Sequence, residues 1–480
     1  MSARPYDSNR SREMVSNDPL LGLRCLPITR RSLLQGGLVA ATGFWLADPL
    51  GRAAWAQDAP PPAETPADKP GDKPAAPPAK AKAIIQIWLW GGPSHVDTFD
   101  PKPEAGNDIS GPLRGTAKTD IPGFFLSELM PNLAKQADKF ALIRSTTHGQ
   151  NGHETAAYMV QTGNQTGGKL VYPHVGAVVS KMCGYEAGYE GLIPPYVVLT
   201  EPQGRFSEVG FLGPRYKPFA TGGDPAAPRF LVEGVVAPGI SDERQRARRD
   251  LLAGLNSLAL ASKGSEQMEA VQKCETEAYD LILGDAGKVF DLSTESDEVR
   301  TKYGRTTFGQ SCLMARRLIE KGVRFITINF GGWDTHKENF QAMRRMVPQL
   351  DKGVASLLED LAAAGLLDST IVWCGGEFGR TPQVQWEAPW NGGRNHFGAV
   401  FSTLLAGGGF KGGTIIGESD AKASEVKDRP VYPWDLIGSM YAQMGIDPDA
   451  NVMHPQGMEV PLLPKASDGV EVGGRLKELI

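Results

Sequence analysis

The sequence predicts an α/β fold, a mostly parallel sheet covered by helices, and three observations carry that reading. From Ala83 onward, short apolar runs alternate with longer amphipathic ones, the pattern of strands that helices cover on the sheet faces. The strand candidates are short, predominantly apolar runs, as expected of parallel strands that helices cover. Glycine-led polar clusters follow the runs directly, where the loops of open α/β sheets collect ligands.

Residues 1–56 read as a twin-arginine export signal: paired Arg30 and Arg31, a moderately apolar stretch from Leu33 to Ala47, and cleavage after Ala54-Trp55-Ala56. A retained anchor is the alternative, but about 15 residues that include Gln35, Gly36 and Gly37 fall short of the ~20 that span a bilayer. Residues 57–82 form a linker, with eight prolines between Asp58 and Lys82 and no apolar periodicity. The folded domain is expected over 83–480. Its strand candidates are 83–90 ("AIIQIWLW"), 140–145, 195–200, 323–330 ("VRFITINF"), 370–374 ("TIVWC") and 400–406. Helices are expected over 242–261, 266–283, 308–321 and 339–364. In the last, Leu350, Val354, Leu357, Leu358 and Leu361 recur at three- and four-residue steps, which marks a core-facing stripe. Residues 165–240, rich in Gly, Pro and aromatics, read as an irregular insertion beside the sheet.

A formal charge of −5, with acids and bases well mixed, leaves no polybasic face for nucleic acid or anionic lipid. No apolar run beyond the signal reaches spanning length. Of five cysteines, Cys25 leaves with the signal, and Cys183, Cys274, Cys312 and Cys374 show no C-x-x-C pair; Cys312 and Cys374, in apolar patterns, read as buried free thiols, and the spacings specify no disulfide. Oligomeric state is not encoded legibly.

Three glycine-led clusters follow strands: "GGPSHVDTFD" (91–100), "GGWDTH" (331–336) and "GGEFGRTP" (375–382). A fourth, "GGRNHFG" (392–398), precedes one. Asp334 and His336 are two apart, so extended backbone directs both side chains to one side, and a carboxylate with an imidazole suits zinc, manganese or iron better than calcium. Glu377 and His396 lie on neighbouring loops and extend the candidate ligand set. The plainer alternative is an ion pair between Glu377 and Arg380 and a hydrogen-bonded loop histidine at 396. Asn151 and Glu154 resemble a capping box opening a helix. A helix start also presents amides to an anion, which would set His153 or Thr155 beside a phosphate-like group.

The order of these motifs behind a twin-arginine signal resembles the exported family catalogued as domain of unknown function 1501, within the alkaline phosphatase-like (sulfatase-like) superfamily. The resemblance covers nearly the whole chain after the linker. It implies a doubly wound sandwich with one or two divalent ions, zinc or manganese, at the strand ends. Asp334, His336 and His396 would hold one ion, and Glu377 with Asp97 a second. Two departures stand out. Phe378 occupies a place where relatives carry a histidine, and glycines stand where the first strand would end in an aspartate, so that Asp97 is the nearest carboxylate. No cysteine lies where a formylglycine would be made; His153 and Thr155 stand there instead.

The expected function is therefore an exported, periplasmic or extracellular, metal-dependent hydrolase of phosphate or sulfate esters, on small molecules or polysaccharides. In that scheme Thr155 is the nucleophile, His153 a general acid or base, and Arg380 the partner of the equatorial oxygens. The alternative is a non-catalytic exported binding or scaffold protein on the same fold. Gly407, Gly409 and Gly412 match a dinucleotide-binding spacing, but "GTIIGE" after them reads as strand, without the helix such a site needs. Arg215 in "GFLGPRYKPF" is a further substrate-binding candidate, and a surface loop is the plainer reading.

Overall fold

The apolar run from Ala83 forms strand β1 (Ala83–Trp88), and all six of its residues are buried. Both faces are covered: Ile85 and Ile87 enter one apolar core, Ile84 and Trp88 the other. This is why the sequence shows no polar alternation here. Fully burying each such side chain contributes on the order of 1.5–3 kcal/mol.

The computed structural model describes residues 79–202, 209–230 and 286–480, with 232, 243, 244, 246, 247 and 251. The remaining strands of the main sheet are β2 (Phe140–Thr146), β3 (Tyr196–Leu199), β4 (Phe219–Ala220), β5 (Phe325–Asn329), β6 (Thr370–Gly375), β7 (Phe401–Ala406) and β8 (Thr414–Ile416). Their spatial order is β8-β2-β7-β6-β1-β5-β3-β4. All pairings are parallel except those of β7, which runs against both β2 and β6. Helices α1 (His153–Thr162) and α4 (Pro433–Gln443) cover one face, and α2 (Thr307–Glu320) and α3 (Asn339–Ala363) the other. This is the expected doubly wound, mostly parallel α/β architecture.

All six strand candidates form, and the leucine stripe of α3 is buried in the core it was expected to face. Within the stretch 165–240 the expected strand at 195–200 forms as β3, and the departure from expectation is β4, which pairs with β3 at the sheet's edge instead of lying beside the sheet. Thr414–Ile416 is a strand, as "GTIIGE" reads. The helices expected over 242–261 and 266–283, and Cys274, fall largely or wholly outside the described residues. Cys183, Cys312 and Cys374 are free thiols. No helix among the described residues is long and apolar enough to cross a membrane.

Register explains where the polar loops go. Trp88 at the end of β1 pairs with Asn329 at the end of β5 and with Gly375 at the end of β6, so the three glycine-led clusters leave the sheet side by side. Because β7 is antiparallel, its first residue, Phe401, lies against Thr146 at the end of β2. The segment before β7 and the segment after β2 therefore reach that same edge.

Candidate metal centre

Two of the glycines make the close approach possible. A Cβ on Gly91 (φ +113°) would collide with the backbone nitrogen of Asp334, and one on Gly92 (φ +79°) with the ring of Phe378. With neither present, the loops after β1, β5 and β6 pack against one another. Beyond β6, Gly379–Arg380 forms a two-residue antiparallel ribbon with His396–Phe397, and His396 pairs with Arg380 in register.

Three imidazoles converge on one carboxylate. His396 Nε2 lies 3.1 Å and His336 Nε2 3.2 Å from Asp334 Oδ1, and His153 Nε2 lies 3.4 Å from Asp334 Oδ2. Each ring's other nitrogen donates to an acceptor outside the cluster: His153 Nδ1 to Glu377 Oε1 (2.5 Å), His336 Nδ1 to Asn395 Oδ1 (3.1 Å) and His396 Nδ1 to the Asn151 carbonyl (2.8 Å). A carboxylate and a carbonyl only accept, so Nδ1 carries the hydrogen and Nε2 presents a lone pair. Such outer bonds fix tautomer and ring orientation at metal centres.

The donor set fits a divalent ion. The ligand atoms of His153, Asp334 and His396 lie within 4.8 Å of one another, and imidazole with carboxylate suits zinc or manganese. His336 Nε2 and His396 Nε2 approach to 2.9 Å, a separation that two lone pairs tolerate only with a proton or cation between them. Glu377 is fully buried with Oε2 unpartnered, while its Oε1 also accepts from the Gly91 amide (2.9 Å).

Electrostatics sets the protonation of these candidate ligands. Burial pushes the Asp334 carboxyl up, but the bond and charge of Arg380 and the neighbouring imidazoles outweigh it and hold it at about 2. Its bond to Glu377 raises the His153 imidazole against the effect of burial. Burial lowers His396 despite its bond to Asn151, and the Arg380 charge lowers it further. Burial pushes the His148 ring down to about 4 despite its bond to the Glu377 carbonyl (2.7 Å).

The other candidates divide. Asp97, expected beside Glu377 at a second ion, stands apart: buried, it takes Arg394 Nε (2.8 Å) and Nη2 (3.1 Å) and Asn339 Nδ2 (2.8 Å). Both of its oxygens are committed to the interior. Arg380, expected to face substrate oxygens, is itself fully buried. It donates to the carbonyls of Gly91, Gly92 (3.0 Å) and Arg394 (3.2 Å) and to Asp334, so it positions the carboxylate. No Glu377–Arg380 pair forms among the described residues; His153 takes that carboxylate. Among the described residues no contact joins Thr155 to the cluster. The N-cap of α1 is Gly152, not Asn151, whose side chain instead accepts from the Gly398 amide (2.7 Å). His95 is buried against Phe397 and bonded to the Ala423 carbonyl (3.0 Å).

Sequence reasoning missed three participants. Asn395 orients His336, His148 braces the Glu377 backbone, and Trp90 stacks on His153 (5.6 Å between centroids), which Phe378 also contacts (5.0 Å). Trp90 and Asn395 adjoin the motifs already singled out, and that adjacency was the available signal.

Fold and site together define an α/β protein with a His/Asp group able to hold a metal at the strand ends of its sheet. The chain belongs to the family described as Protein of unknown function (DUF1501), whose model matches residues 81–470. No curated protein matches it. Solved structures similar to it include the lipoteichoic acid synthase from Listeria monocytogenes (11% identity, 80% of this chain and 75% of that one, TM-score 0.36). A protein in the alkaline phosphatase superfamily from Vibrio parahaemolyticus is similar at 11% identity (78% and 69%, TM-score 0.32). The phosphonate monoester hydrolase of Agrobacterium radiobacter is similar at 12% (82% and 78%, TM-score 0.33). These likenesses are distant, and those proteins' activities are not carried to this chain by them.

Proposed function

We propose that this chain is a divalent-metal-dependent hydrolase of phosphate or sulfate esters that works outside the cytoplasm. The observation that supports it most is the common orientation of three imidazoles, each with Nδ1 bonded outward and Nε2 turned toward Asp334. His153, Asp334, His336 and His396 would hold the ion, zinc or manganese, with Glu377 orienting His153. When bound, such an ion supplies Lewis-acid polarisation of an ester oxygen and offsets the charge of the anion. The chain's own contribution is to bind and orient. Arg380 keeps Asp334 ionised and in place, and Trp90 and Phe378 pack against the His153 ring. Hydrolysis would break the ester P–O or S–O bond as the hydroxyl of a water molecule joins phosphorus or sulfur and its other proton goes to the leaving alkoxide, releasing an alcohol and the phosphate or sulfate anion, or a monoester from a diester. Export rests on the paired Arg30 and Arg31 ahead of the apolar stretch.

The second reading, a binding or scaffold protein on the same fold, is favoured by two observations. Asp97 is locked to Arg394, and Phe378 stands where an imidazole would extend the ligand set. A panel of aryl phosphates, phosphodiesters and aryl sulfates, with purified protein loaded with zinc or manganese, separates the two. The hydrolase reading expects turnover of at least one class that falls roughly a hundredfold or more on chelation. Metal-loaded protein inert across the panel would leave the binding reading.

A further inference from the structure

The segment leading to the imidazoles also walls a second space. Thr147 to Gln150, just ahead of α1, and Ala399, just past the ribbon, line a cavity of about 520 Å³, within the roughly 300–1,000 Å³ of small-molecule sites. His148 belongs to both places, lining the cavity while its Nε2 donates to the Glu377 carbonyl (2.7 Å).

An aromatic pair forms another wall. Tyr432 and Trp434 stack with centroids 5.4 Å apart and planes 2° from parallel. Glu471 fixes both, accepting the Tyr432 hydroxyl at its carboxylate (2.6 Å) and Trp434 Nε1 at its backbone carbonyl (2.9 Å). Gln150, Gln165 and Thr166 also line it, with Met159 the one large aliphatic side chain among the described lining residues, and no hydrogen bond to another described residue engages the side chains of those two glutamines and the threonine. A site for an anion carries lysine or arginine, and neither is among the described residues that line this cavity. A site for an acyl chain is walled by aliphatic side chains, whereas this wall offers free amides and a hydroxyl. Fixed aromatic rings beside unengaged amides match a ring with apolar C–H faces and a rim of hydroxyls.

We infer that this cavity binds a neutral pyranose ring, the alcohol portion of a sugar ester whose anionic group meets the metal centre. Only the link to the ester rests on the hydrolase reading; binding of the ring does not.

Purified protein titrated with D-glucose, D-galactose, D-mannose and N-acetyl-D-glucosamine, followed by tryptophan fluorescence and saturation-transfer NMR, tests it. Saturable millimolar binding of at least one sugar is expected, unchanged by chelator. Tyr432→Ala and, at the exposed Gln165, Gln165→Ala should each weaken it roughly three- to tenfold. Failure of all four sugars to bind overturns the inference even if aryl esters are hydrolysed. Binding undiminished in both variants places the sugar elsewhere and overturns it as well. Cavity-dependent sugar binding without turnover of any ester keeps the inference and removes the hydrolase reading.

Discussion

Asp97 and Asp334 both follow strands of one sheet edge, yet their surroundings give them different work. Asp334 has a side chain 45% exposed and three imidazoles around it; Asp97 is buried against Arg394. Asp97→Asn keeps an oxygen but leaves a buried guanidinium without its counter-charge, a change that costs about 3–5 kcal/mol. We expect a clearly lower midpoint in thermal unfolding, with metal content per folded chain unchanged by elemental analysis. Folded Asp97→Asn protein that has lost its ion would return Asp97 to the ligand set. The sequence displays a carboxylate but not the cation that claims it, which here stands 297 residues along the chain. The nearness of Asp334 and His336 was legible because two residues of spacing fix it locally. His153 was noticed but read as an acid or base, since its bond to Glu377 spans 224 residues.

At the scale of elements, the antiparallel course of β7 is decisive, because a parallel strand would have carried "NHFG" to the opposite edge of the sheet. Runs of buried strand residues reveal existence, not direction, so the six strands were legible and this reversal was not. The N-cap of α1 was misjudged by one residue for a related reason. Asn151 has the chemistry of a cap, but the Gly398 amide claims its side chain. Glu377 has a definite part: its Oε1 holds His153 Nδ1 from behind, while its Oε2 has no hydrogen-bond partner among the described residues. Glu377→Gln retains an acceptor but loses the charge. It should weaken zinc binding roughly 10–100-fold, as loss of an outer partner does, without changing the stoichiometry at saturating metal. A drop to zero ions at saturation would make Glu377 a direct ligand.

For the molecule as a whole, buried neutral histidines set an acid limit. Burial lowers His174 from 6.5 to about 3, and no metal-ligand residue touches it in the structure. The unfolded chain therefore takes up a proton that the folded chain refuses, so stability present above pH 6.5 is lost as pH falls toward 3. The loss is about 1.4 kcal/mol per unit, or roughly 2 kcal/mol at pH 5. Denaturant unfolding at pH 7 and pH 5 should show that loss in the parent and a smaller one in His174→Gln. An identical pH dependence in both would remove His174 as a cause. The proposed function stands on one divalent ion held among His153, Asp334, His336 and His396. Elemental analysis of purified protein reconstituted with zinc or manganese and then desalted tests it most directly. One ion per chain is expected, falling to a small fraction of that in a folded His396→Ala variant. A folded His396→Ala protein with unchanged stoichiometry, or parent protein that retains no ion, would contradict the account.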